Sequence, residues 1–172
     1  MDESSGTEEI VALYDEAGRP CGQAPRSRVR RENLRHAATA VLVRNSAGQI
    51  YVHRRTETKD VYPGMFDCCA GGVLQYGEVP EEAAARELAE ELGVVGVPLR
   101  PVTESAYSDD VTSYCAFVYE VTYDGAITWQ PEEVAGGGWM SLAELAERLS
   151  DPAWPFVPDS RALVSGWLKA AG

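Results

Sequence analysis

From Pro80 to Gly93 the chain reads as one short helix with a defined stop, and that helix dictates much of what must surround it. Pro80 suits the first helical turn, where its missing N–H costs nothing. Glu81 and Glu82 follow near the positive end of the helix dipole, and Ala83, Ala84 and Ala85 are strong helix formers that permit close packing. Leu88 and Leu92, four apart, supply an apolar stripe, and Gly93 is placed for a left-handed C-terminal cap. On the other side, Glu87, Glu90 and Glu91 fall at offsets 0, 3 and 4, which brings three carboxylates to one face. Like charges at that spacing repel, so stability alone does not select them. A hard divalent cation does, because Mg²⁺ or Mn²⁺ takes anionic oxygen ligands. A solvated acidic face is the ordinary meaning of such a run, and the residues upstream argue against it.

Seven residues separate Arg86 from Glu78, and five separate Glu78 from Gly72. The stretch from Gly72 to Val94 therefore resembles, at every defined position, the signature of the Nudix hydrolase superfamily. That signature is Gly, five residues, Glu, seven residues, Arg-Glu-aliphatic, any, Glu-Glu, any, Gly-aliphatic. Nine fixed positions over 23 residues make this far more specific than a lone glycine-rich loop. Gly71-Gly72 closes an apolar stretch and allows backbone conformations closed to other residues, so that a carbonyl can approach a metal.

Composition bounds the rest. With 172 residues, 45% of them apolar, the chain is expected to form one domain over residues 9–172 behind a flexible tail of residues 1–8. No run approaches the roughly 18 apolar residues of a spanning helix, and the acidic start Met1-Asp2-Glu3 is no secretory signal. A cytoplasmic protein is the expectation. A net charge of −12 is ill suited to gripping nucleic-acid phosphates. The expected partner is a small-molecule diphosphate; a homodimer is left open. Cys21, Cys68, Cys69 and Cys115 lack zinc-site spacing and read as free thiols.

Along the chain, Ile10 to Tyr14 is a short apolar run before a turn, and Arg26 to Arg35 is a basic linker or short helix holding five arginines. His36–Val43 and Gln49–Arg55 read as the arms of a hairpin about Asn45-Ser46-Ala47-Gly48. Strands are predicted over 102–107 and 112–123, with Asp109-Asp110 at the turn, and a short strand ends at Trp139-Met140. Ser141 with Glu144 predicts a capping box for a helix reaching Leu149, and Asp159 a cap for a helix over 160–169. This order gives an α+β fold. The Nudix resemblance implies the α/β/α sandwich with a mixed β-sheet between helices.

The resemblance also implies the chemistry, hydrolysis of a diphosphate linked to another moiety, commonly a nucleoside. By position, Glu87, Glu90 and Glu91, with the carbonyl of Gly72, match the Mg²⁺ ligands; Mn²⁺ is the alternative ion. Arg86 matches the residue that holds those glutamates, Glu78 a further orienting group. A base for the attacking water comes either from a helix glutamate (Glu90 or Glu91) or from a loop, where Glu132 and Glu133 are candidates and Glu133 is preferred. Arg54 to Asp67 resembles a narrower branch containing type I isopentenyl-diphosphate isomerases and hydrolases close to them, in which cations before a Pro-Gly bind diphosphate. Arg54, Arg55 and Lys59 match them, and on a strand only one of the two arginines need point inward.

Isomerase is the alternative activity. Those enzymes carry a Cys just before the box glycine and a metal-binding His just after it; here Gly71 and Val73 stand there. Cys69 lies two residues away, roughly 6–7 Å along a strand. His36 does sit where the isomerases have a metal-binding His. The intact Arg-Glu-Leu-Ala-Glu-Glu core favours hydrolase. A non-catalytic metabolite-binding domain is the third reading; such modules typically lose a box glutamate, and none is lost here.

Overall fold

The computed structural model describes residues 8–59 and 61–171. In chain order they form β1 (Ile10–Tyr14), β2 (Pro20–Pro25), α1 (Arg26–Glu32), β3 (His36–Arg44), β4 (Ile50–Arg55), β5 (Phe66–Asp67), β6 (Cys69–Ala70), α2 (Pro80–Leu92), β7 (Arg100–Ser108), β8 (Ser113–Thr122), β9 (Val134–Met140), α3 (Leu142–Leu149) and α4 (Pro158–Ala171). The α+β class expected from the sequence is what the chain adopts, a mixed sheet with helices on both faces.

β3 is the organising strand because nearly every residue in it is buried, as a strand covered on both faces requires. It pairs in parallel with β8 from His36↔Tyr114 to Arg44↔Thr122. Its alternate residues feed two cores. Leu42 packs with Ile50, Val52, Leu145, Val164 and Trp167 under α3 and α4; Val41 and Val43 pack with Ala84, Leu88 and Leu92 of α2. Each fully buried Leu there contributes on the order of 1.5–3 kcal/mol.

The expected hairpin is real only at its tip. β3 and β4 pair at Arg44↔Ile50; beyond it the arms part, β3 joining β6 and β8 while β4 joins β9 and β5. That splay opens the sheet beside α2 and leaves room for a cavity. The basic segment is helical in α1, and the acidic turn at Asp109 is fixed by its carboxylate accepting from the N–H groups of Val111 (2.7 Å) and Thr112 (2.8 Å).

Helix ends correct two expectations. The Ser141 hydroxyl accepts from the Glu144 N–H at 3.1 Å, but Glu144 turns to Arg148 rather than back to the cap, so half of the capping box forms. Asp159 lies inside the first turn of α4 instead of capping it, because its carboxylate takes the Tyr114 hydroxyl. Gly93 does cap α2, at φ 68°. Most of the expected tail, residues 1–7, lies outside the described residues; Glu8 is tied down, accepting from the Ser27 N–H at 2.8 Å. The four cysteines are free thiols. Among the described residues no helix is long and apolar enough to cross a membrane.

Candidate active site

α2 has a buried face of Ala83, Ala84, Leu88 and Leu92, and this fixes its rotation over the sheet. The carboxylate face is thereby turned to the wall of a cavity of about 440 Å³ that also takes in Arg55, Lys59 and Glu133. Such a volume lies in the usual range for a small-molecule site. Glu78, Arg86 and the box glutamates form one network. The Arg86 Nη2 donates to both Glu78 oxygens at 3.1 and 3.0 Å, and its Nη1 donates to Glu87 at 3.2 Å. Nη1 also stands 3.6 Å from Glu90. A planar guanidinium presents five N–H donors in a fixed fork, which suits it to serving several carboxylates at once.

Glu91 is the deepest of the three. Burial raises its carboxyl well above the usual carboxylate range, the Glu87 and Glu133 charges push the same way, and the Gly71 N–H opposes them, donating to Glu91 at 3.1 Å. Glu87 is raised by burial and by the neighbouring acids, against the pull of Arg86. Desolvated anions held together this way need a cation or protons. The donor set fits a hard divalent ion, since all three supply carboxylate oxygen. The three oxygens do not fall within 4.8 Å of one another; among the described residues only Asp67, Cys68 and Cys69 form so tight a group. Glu90 leans to Arg86, as mutual repulsion among the glutamates favours.

The glycine pair works through space rather than through backbone freedom. Neither Gly71 nor Gly72 has a positive φ; a Cβ on Gly71 would overlap the Thr39 carbonyl oxygen, and one on Gly72 would lie 2.8 Å from Glu87 Oε1. The loop lies flush on β3, with the Thr39 N–H donating to the Gly72 carbonyl at 2.9 Å. The Thr39 hydroxyl donates to the same oxygen at 3.4 Å, so both of its lone pairs have partners.

The sequence-predicted cations divide. Arg54 is exposed on the outer side of β4, bonded to Glu57 at 2.9 Å and to the Gly64 carbonyl at 3.0 Å, and does not line the cavity. Arg55, one residue on, faces inward, its Nε and Nη2 donating to the Val61 carbonyl at 3.1 and 2.9 Å. Lys59 lines the cavity and donates its ammonium to Glu133. Glu132 is exposed and outside the cavity.

Of the remaining wall, the sequence singles out His36 and the basic segment that holds Arg26 and Arg30; His53, Asp67, Tyr114 and Asp159 line the same cavity with them and were missed. Burial pushes both histidines down to about 4, so each is a neutral imidazole near pH 7. Cys69, the candidate thiol of the isomerase reading, also lines the cavity, and its hydrogen bond to Cys68 together with burial holds it well above the ordinary thiol range. The available signal was the period of two along β4, which puts His53 on the inward face with Arg55.

Comparison with known proteins agrees with the residues. A family model for the NUDIX domain matches residues 34–160. The chain is 47% identical over 170 residues to the uncharacterised Nudix hydrolase orf19 of Rhodococcus erythropolis, with 93% of this chain and 92% of the relative covered. It is 36% identical over 161 residues to the uncharacterised Nudix hydrolase YfcD of Escherichia coli K12, covering 94% and 87%. The crystal structure of DR0079 from Deinococcus radiodurans superposes with a TM-score of 0.77 at 30% identity, covering 91% of this chain and 98% of that one. The NUDIX domain of Shewanella oneidensis NrtR, solved with ADP ribose, shares the fold at a TM-score of 0.61 and 16% identity, covering 81% and 89%. With an intact glutamate box on α2 and likeness to these hydrolases along nearly its whole length, the chain belongs to the Nudix family and is a hydrolase of acid anhydrides in phosphorus-containing compounds.

Proposed function

We propose that the chain is a Mg²⁺-dependent hydrolase, with Mn²⁺ as the alternative ion, that cleaves the diphosphate bond of a nucleoside diphosphate-linked or related organic diphosphate. The observation that carries this reading is the meeting of Glu87, Glu90, Glu91, Arg55, Lys59 and Glu133 on one cavity. Glu87, Glu90 and Glu91 would hold the cation, and the Gly72 carbonyl would join them once the Thr39 hydroxyl turns aside from it. When bound, that ion withdraws charge from the diphosphate and lowers the pKa of a water.

Arg86 keeps the glutamates aimed through its contacts to Glu78 and Glu87. Arg55, anchored on the Val61 carbonyl, presents its remaining N–H groups to phosphate oxygens. Lys59 supplies a second positive charge for the same oxygens. As Lys59 turns to phosphate, Glu133 is released to take the proton of the attacking water beside Glu87 and Glu91, on which its charge already acts. Arg54 has no part in this scheme, since its side chain is committed to Glu57 and Gly64.

The isomerase reading loses support at the box itself, where Gly71 and Val73 stand in place of the Cys and the metal-binding His. Incubation with Mg²⁺ and a panel of nucleoside diphosphates, nucleotide sugars, dinucleotides and isopentenyl diphosphate tests the proposal. Phosphate or monophosphate release that disappears in Glu91→Gln supports it. Conversion of isopentenyl diphosphate to its isomer without phosphate release would reverse it, and so would inertness towards the whole panel in both Mg²⁺ and Mn²⁺.

A further inference from the structure

One side chain on the cavity has a capacity that neither metal nor diphosphate uses. His53 is only 4% exposed and lines the cavity, yet neither ring nitrogen has a hydrogen-bond partner among the described residues, and neither is sealed from the cavity like the orphaned Tyr62 hydroxyl. A buried imidazole left without partners is costly. On β4 it shares the inward face with Arg55, two residues and about 6–7 Å further along the strand. A diphosphate held at Arg55 with its esterified group running along β4 towards His53 would bring the first carbons of that group level with the ring.

The chemistry of that group follows from what the wall offers. Asp67, opposite His53 in the β4–β5 register, lines the cavity together with Thr112 and Ser160; the apolar side chains of β3 and β8 there are the small Ala38, Ala40 and Ala116, and the larger apolar ones, among them Val157 and Leu163, come from other segments. A hydrocarbon chain would strip water from these polar groups and return no hydrogen bond. A neutral imidazole has one donor and one acceptor. An ammonium only donates and a phosphate only accepts, whereas a hydroxyl does both.

We propose that His53 determines specificity by binding a hydroxyl of the group esterified to the diphosphate, and that the preferred substrates are diphosphates of sugars or other polyols. This rests on the diphosphate-hydrolase reading of the same cavity. The test compares a matched pair, n-propyl diphosphate and 2,3-dihydroxypropyl diphosphate, with Mg²⁺, following product release. The same pair is titrated calorimetrically as non-hydrolysable methylene bisphosphonates.

In the wild type the dihydroxy compound is preferred by about tenfold or more in kcat/KM, and its analogue binds more tightly by a similar factor, the discrimination one lost hydrogen bond produces. In His53→Leu the ratio collapses towards one, and His53→Gln, which keeps a donor and an acceptor, restores part of it. Should the Leu variant not fold, His53→Phe serves as the second variant. Equal handling of both compounds by the wild type, or a ratio that survives His53→Leu, overturns the assignment. Selective binding of the dihydroxy analogue without hydrolysis of either diphosphate keeps the His53 assignment and removes the hydrolase reading instead.

Discussion

Lys59 gives its ammonium to the Glu133 carboxylate across a separation of 74 residues, joining the loop after β4 to the loop before β9. The contact supplies a positive charge to a wall of glutamates; Lys59 lowers the pKa of Glu91 that burial and Glu87 raise. In this state the lysine acts as an internal counter-ion.

Replacing it separates its two roles. Lys59→Met removes a cation that competes with a metal ion, so calorimetric Mg²⁺ affinity should rise several-fold. It also removes the proposed phosphate donor, so kcat/KM on the best diphosphate should fall by roughly 10–100-fold, the cost of a charge-assisted contact of about 1.5–3 kcal/mol. Metal affinity and activity moving together in either direction would contradict the dual role.

Gly71 and Gly72 should respond differently to the same methyl group. Gly71→Ala drives Cβ into the backbone of β3 at the Thr39 carbonyl, where nothing can rotate away. A loss above about 4 kcal/mol, or failure to fold, is expected from such overpacking with backbone strain. In Gly72→Ala the Cβ meets the end of the Glu87 side chain at 2.8 Å, and that side chain can swing aside. Stability should change by only about 1 kcal/mol while Mg²⁺ affinity and kcat drop together. Urea denaturation and metal titration on both variants check this; equal stability losses would refute the distinction.

These contrasts also mark how far the sequence could be read. α2, its cap at Gly93 and its glutamate face were legible because helix periodicity is local and its spacing is fixed within a few residues. The parting of β3 from β4 was not, because both arms are β-favouring and their partners, β8 and β9, lie far along the chain. Alternation along β4 implied that one of Arg54 and Arg55 points inward, but choosing Arg55 needed the register with β9 and β5. Asp159 resembled a cap because its local context is that of a helix start; Tyr114, 45 residues away, claims it. His53 escaped for the same reason, since its cavity is assembled from strands brought together by non-local pairing.

Metal binding should stabilise the fold. Burial and like charge already raise the Glu91 and Glu87 carboxyls, so an ion that binds the folded wall and not the unfolded chain adds about 2.7 kcal/mol at a hundred times its Kd. Thermal unfolding with and without Mg²⁺ should show a rise in Tm in the wild type. Glu91→Gln removes a buried charge and should be at least as stable as wild type without metal, yet gain nothing from Mg²⁺. A Tm rise that persists in Glu91→Gln would place the ion elsewhere.

The last expectation concerns acid. His36 and His53 are 3% and 4% exposed, and burial pushes both down to about 4 from an ordinary 6.5. Between those values the unfolded chain binds protons at both rings while the folded chain does not, so their contribution to stability is complete above pH 6.5 and is lost as pH falls towards 4. Each ring accounts for up to about 3 kcal/mol at 1.36 kcal/mol per pKa unit. Asp67, Glu87 and Glu91 are raised by burial, and their contribution runs the other way, lost as pH rises through their folded values. The net slope therefore understates the histidines, and a variant isolates them. Urea unfolding at pH 7.5 and pH 4.5 should show wild type losing about 1–3 kcal/mol more stability on acidification than His53→Gln. Parallel losses in the two proteins would mean that the His53 ring takes up its proton as readily in the folded chain as in the unfolded one, and its burial without a partner would be refuted.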